Sequence, residues 1–82
     1  MSITKRMTKI RALRQARGLS IVEFSHEARV NPSVISVVER RRGVASRKVQ
    51  EAVAAFFGIP KGELFDDEGW AMIYDPEPIE AV

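Results

Sequence analysis

Cysteine is missing from the 82 residues, which excludes disulfides and thiolate metal sites and fits a reducing compartment. Aromatic side chains are scarce, with one Trp, one Tyr and four Phe, so the core must rest largely on aliphatic residues. Long apolar stretches are also absent. The run from Val53 to Phe57 is far short of a membrane span, so no membrane association is expected. The first residues carry scattered basic side chains but no continuous apolar block, so a signal peptide is not expected and a cytoplasmic location is. His26 is the only histidine and has no serine–acid or cysteine partner around it in the sequence, and no glycine-rich phosphate loop occurs. An enzyme is therefore not expected, and neither is a cofactor. Asp66, Asp67 and Glu68 lack the glycine and ligand spacing of a calcium loop, so they read as a solvated acidic run.

Charge is present but divided. Residues 1–65 hold all 13 Lys and Arg against Glu23, Glu27, Glu39, Glu51 and Glu63, whereas residues 66–82 hold six acids and no base. The overall charge of +2 conceals this asymmetry. A basic body followed by an acidic end suggests a polyanionic partner for the body. The chain is long enough for one small domain with a modest core. Two segments are expected: a folded domain over 1–65 and an acidic extension over 66–82.

The stretch from Ser20 to Arg40 is the most informative. Ser20 followed by Glu23 forms a capping box, with Leu19 and Phe24 at the staple positions. Asn31 caps a second start, Pro32 suits its first turn, and Val30 with Ile35 repeat the staple. These signals predict one helix over Ile21–Ala28 and the next over roughly Pro32–Arg40, joined by a tight turn. Where the two should cross, Phe24, Ala28, Val30, Ile35 and Val38 are apolar and Ser25 is small. Two helices joined this way form a unit that fits a DNA major groove.

Around it, Ile3, Met7, Ile10 and Leu13 predict an earlier helix that Gly18 ends. A later helix is expected from near Ser46, with Val49, Val53 and Phe56 inward and Gly58 as its stop. Pro60 is expected to open a short fifth helix or turn that brings Leu64 and Phe65 to the core. Beyond it, Trp70, Met72, Ile73 and Tyr74 are too apolar for a free tail. Their alternation suits a short strand or one packed helical turn, docked on the body or paired across a dimer.

The strings IRALRQARGLS, VISVVER and VQEAVAAFFGIPKGELF make Ile10–Phe65, about two thirds of the chain, resemble the lambda-repressor/Cro type of helix-turn-helix domain, the XRE family. The resemblance implies an all-α, compact five-helix repressor-like bundle with a short C-terminal extension. It also implies a bacterial or phage transcription regulator that binds double-stranded DNA, generally as a homodimer. Carried over by position, Asn31, Pro32, Ser33, Ser36 and Val37 would face the bases. Arg40, Arg41, Arg42, Arg47, Lys48 and Arg17 would meet phosphates, and Glu39 would pair with Arg14 or Arg11.

The departures are informative. Ile21 stands where the family commonly has Gln, and Arg29 where the turn usually has Gly, at a cost of about 1 kcal/mol if the geometry is kept. Arg41 replaces a glycine common after the Glu, with Gly43 arriving two residues late. The base-facing positions offer methyl contacts from Pro32 and Val37 and single hydrogen bonds from Ser33 and Ser36, rather than Arg or Gln forks. Shape and phosphate contacts are then expected to carry more of the recognition. Ile21, Val22, Val34 and Val37 also raise an alternative: a helix-turn-helix domain repurposed to bind protein, as an antirepressor, antitoxin or polymerase-binding adaptor.

Overall fold

The computed structural model describes residues 7–74, and Ile3, Lys5, Arg6 and the acids beyond Tyr74 lie outside that range. Four α-helices follow in order: α1 (Lys9–Ala16), α2 (Ile21–Ala28), α3 (Pro32–Glu39) and α4 (Arg47–Phe57). A single 3-10 turn, Lys61–Glu63, comes next.

Each helix starts where a side chain can satisfy an orphan N–H. Ser20 and Glu23 form the full reciprocal box, with bonds of 3.0 and 2.9 Å. Asn31 accepts from Ser33 N–H at 2.8 Å, and Ser46 accepts from Val49 N–H at 3.2 Å. Thr8 performs the same task for α1, accepting from Arg11 N–H, while its hydroxyl donates to the Glu39 carbonyl. This differs from the expectation that Met7 lies within the first helix. The apolar spacing runs on through Met7, but the Thr8 cap turns the backbone extended there.

Gly58 ends α4 in the left-handed conformation. The turn between α2 and α3 is made by Arg29 at φ 61° and ψ 42°, so the glycine-like geometry is kept despite the side chain.

The core gathers Ile10, Phe24, Ile35, Val53 and Leu64, all nearly sealed from solvent. Fully burying one such side chain contributes about 1.5–3 kcal/mol. Phe24, Phe56 and Phe57 pack with centroids 5.1–5.3 Å apart, two pairs tilted and one edge-on. The inward face of α4 is Val53 and Phe57, with Val49 and Phe56 half-buried beside them.

The five-helix count is not matched; of the short helix or turn expected after Pro60, the chain makes the 3-10 turn, with Leu64 and Phe65 buried beyond it. After the 3-10 turn the chain leaves helical geometry, because Phe65 bridges antiparallel to Ala71. Asp66 N–H donates to the Trp70 carbonyl and Met72 N–H to the Leu64 carbonyl. Pro60 and Gly62 also make this a poor place for a longer helix.

The segment then runs beside the start of α1. Lys9 N–H donates to the Met72 carbonyl, Thr8 bridges to Ile73, and Tyr74 N–H donates to the Met7 carbonyl at 2.8 Å. Single bridges replace the expected strand or helical turn, and Ala71 is fully buried by this course. No helix among the described residues is long and apolar enough to cross a membrane.

Candidate nucleic-acid interface

α3 is divided into two faces by burial. Ile35, Val38 and Glu39 point inward, while Pro32, Ser33, Val34 and Val37 are exposed and Ser36 is half-buried. The inward face is pinned electrostatically as well as by packing. Arg14 Nε donates to Glu39 Oε2 at 2.6 Å, one terminal nitrogen donates to Oε1 at 3.0 Å, and the other donates to the Leu19 carbonyl at 2.8 Å. Of the two arginines the resemblance offered as partner for Glu39, Arg14 is the one bonded. A fork-to-carboxylate pair of this kind fixes orientation as well as distance. It locks the end of α3 to α1 and to the approach to α2.

The outward face is mild in chemistry. Asn31 is exposed, but its side-chain oxygen is occupied by the cap, leaving its amide nitrogen as a donor. Val34 and Val37 are 36% and 41% exposed, with Val22 at 66% and Val44 at 50%. The loop after α3 folds back beside Val37. Arg42 N–H donates to the Val37 carbonyl, and a Cβ added to Gly43 would lie 2.8 Å from Val37 Cγ1. Only glycine fits that approach without displacing Val37, which gives Gly43 a packing role the sequence did not disclose.

The basic side chains fall into separate groups. Arg40, Arg41 and Arg42 are exposed immediately after α3, and Arg41 has a positive φ of 56°. Arg47 and Lys48 are exposed on the first turn of α4, where unpaired N–H groups add a favourable field for anions. Arg17 stands apart. Its guanidinium lies 5.4 and 5.0 Å from the Phe56 and Phe57 centroids, at the other end of α4. The helix rise puts roughly 15 Å between the two ends.

Trp70, Met72 and Ile73 are half-buried along the C-terminal segment, and Tyr74 is 45% exposed. Trp70 reaches the post-α3 loop, where the Arg41 guanidinium sits 5.7 Å from its ring centroid. Arg11 and Trp70 were not among the sequence-derived contact residues for the basic surface. The resemblance offered Arg11 only as an alternative partner for Glu39.

A family model described as a helix-turn-helix domain matches residues 8–66. The chain belongs to that family. The match begins at the residue that caps α1 and ends just after the Phe65 bridge, so it covers the α2–turn–α3 unit and all four helices. Neither a curated protein nor a solved structure matches the chain.

Proposed function

We propose that this helix-turn-helix chain is a DNA-binding transcription regulator of the repressor/Cro type, which lays α3 in the major groove. The observation that carries this reading is the division of α3: a sealed inner face bolted through Glu39, and an outer face bordered by Arg40, Arg41 and Arg42. A helix presented this way can approach base edges while flanking cations meet the backbone. A two-fold dimer would set two such helices about 34 Å apart, one turn of duplex. In this reading Pro32, Ser33, Ser36, Val37 and the Asn31 amide touch bases. Arg40, Arg41, Arg42, Arg47 and Lys48 neutralise phosphates. Arg17 takes part at the far flank.

Salt dependence is the direct test. Neutralising about six phosphates gives a log–log slope near −5, at roughly −0.9 per contact. Selection from random duplexes should then enrich a palindrome if two copies act together. A non-specific slope without enrichment would point to shape and backbone recognition alone.

A second reading is favoured by one observation, the exposure of Val34 and Val37 on α3, of Val22 on α2 and of Val44 in the loop after α3. They suit a protein ligand such as a polymerase subunit or another regulator. Failure to bind duplex even at low salt would replace the first reading with this one.

A further inference from the structure

We propose that the cleft between the start of α1 and the turn after α3 is a seat for a backbone phosphate of duplex DNA, with Arg11, Arg40 and Arg41 as donors and Trp70 as the shelf that holds Arg41. The inference rests on the DNA-binding reading and extends it to a site and to residues outside α3.

The cleft has a volume of about 540 Å³ and brings together the three arginines from two distant parts of the chain, with Met7 and Ile73 supplying apolar wall. Glu39 also lines it, but its side chain is only 3% exposed and both its oxygens are taken by Arg14. That carboxylate is already neutralised and leaves the cleft net positive. The apolar wall lowers the local dielectric, which strengthens attraction for an anion relative to open water.

The two sides of the cleft are held in register. Arg11 N–H donates to Thr8 Oγ1, and the same hydroxyl donates to the Glu39 carbonyl at the end of α3. One threonine therefore ties the turn that carries Arg11 to the turn that carries Arg40 and Arg41.

Arg41 adopts a backbone conformation that glycine would take at less cost, φ 56°. In that conformation its guanidinium reaches the face of Trp70. At 5.7 Å from the centroid the guanidinium is within cation–π range of the ring, and a charge held over the ring can still donate N–H groups to an oxygen ligand. The shelf itself is fixed. Trp70 N–H donates to Asp66 Oδ1 at 3.0 Å, and Asp66 N–H returns a bond to the Trp70 carbonyl. The adjacent Gly69 carbonyl accepts from Ala45 N–H at 2.8 Å, joining the shelf to the loop it serves.

The experiment uses the full chain and a labelled short duplex of mixed sequence, followed by anisotropy across a salt series. Arg11→Gln and Arg41→Gly are each expected to flatten the slope by about 0.9, one phosphate contact. Arg41→Lys keeps the charge but loses the guanidinium's planar fork of donors, and is expected to bind severalfold more weakly than the parent. Trp70→Leu changes no charge, yet should weaken duplex binding severalfold, and should add nothing further when combined with Arg41→Gly.

Thermal unfolding separates this from structural damage. Arg41→Gly relieves the left-handed backbone, so it should unfold no earlier than the parent while binding less tightly. If the parent binds duplex and both arginine variants keep its slope, the seat is disproved while the DNA-binding reading stands. An additive Trp70→Leu effect in the Arg41→Gly background disproves the shelf. A parent that binds no duplex at any salt overturns the function itself.

Discussion

Arg14 and Glu39, 25 residues apart in sequence, form a buried ion pair in which each Glu39 carboxylate oxygen has a guanidinium donor. The pair stands 10% and 3% exposed, so water contributes little to either charge. Removing one partner leaves the other buried and uncompensated. Glu39→Gln is expected to destabilise the fold by about 3 kcal/mol, measured by urea unfolding. Replacing both, as Arg14→Met with Glu39→Leu, should restore most of that loss, because an apolar pair of similar volume needs no desolvation. Equal damage from the single and double variants would contradict this account.

Arg29 takes the left-handed position of the helix-turn-helix turn, with φ 61°. It is exposed, and its N–H donates to the Ser25 carbonyl, a bond glycine can also make. Arg29→Gly should therefore stabilise the domain by about 1 kcal/mol. In a domain of this size that is a rise of roughly 4–8 °C in the unfolding midpoint. A fall in midpoint would show that the arginine side chain contributes more than its backbone costs.

Gly69 is held against the loop after α3. At φ 94°, an added Cβ would lie 2.8 Å from the Ala45 carbonyl oxygen and 3.2 Å from Gln50 Nε2. Gly69→Ala should cost about 2 kcal/mol through backbone strain and the broken approach. Calorimetry reads the stability loss. Trp70, the sole tryptophan, should also shift its emission as the shelf moves.

Val37 is exposed on the outer face of α3 and has no hydrogen-bonding group. If it meets a thymine methyl, replacing that thymine by deoxyuridine removes one apolar group and leaves charge and hydrogen-bond pattern unchanged. Affinity should fall about fourfold, the equivalent of roughly 0.8 kcal/mol. Val37→Ala should abolish the difference between the two duplexes. A persistent difference in that variant would assign the methyl contact to another side chain.

Legibility in the sequence followed the range of the interactions. Ser20 with Glu23, Asn31 with Pro32, and Gly58 act within a few residues of themselves, and each lies where its pattern placed it. The start of α1 was harder. Periodicity through Ile3, Met7 and Ile10 extends past the true cap, and Thr8 carries no strong local signal until its hydroxyl is seen on Glu39. The fifth element, readable only as a short helix or a turn, has the same origin. Its fate is decided by Phe65 pairing with Ala71 and by Met72 reaching Leu64, contacts that no helical period announces. The positions the family resemblance carried to the outer side of α3 are exposed at Asn31, Pro32, Ser33 and Val37 and half-buried at Ser36. The Arg41–Trp70 contact was not legible, since it joins a loop to a segment almost thirty residues later.

Met7 and Tyr74 share a backbone hydrogen bond, and the first N–H of α1 waits on the Met72 carbonyl. Both bonds join the amino-terminal edge of the bundle to a segment more than sixty residues later in the sequence. Pairing over such a sequence separation carries a large loop-closure cost, so this edge is held only while the rest of the domain keeps the two segments together. The arginine-lined cleft, whose apolar wall is Met7 and Ile73, therefore opens wherever that pairing frays.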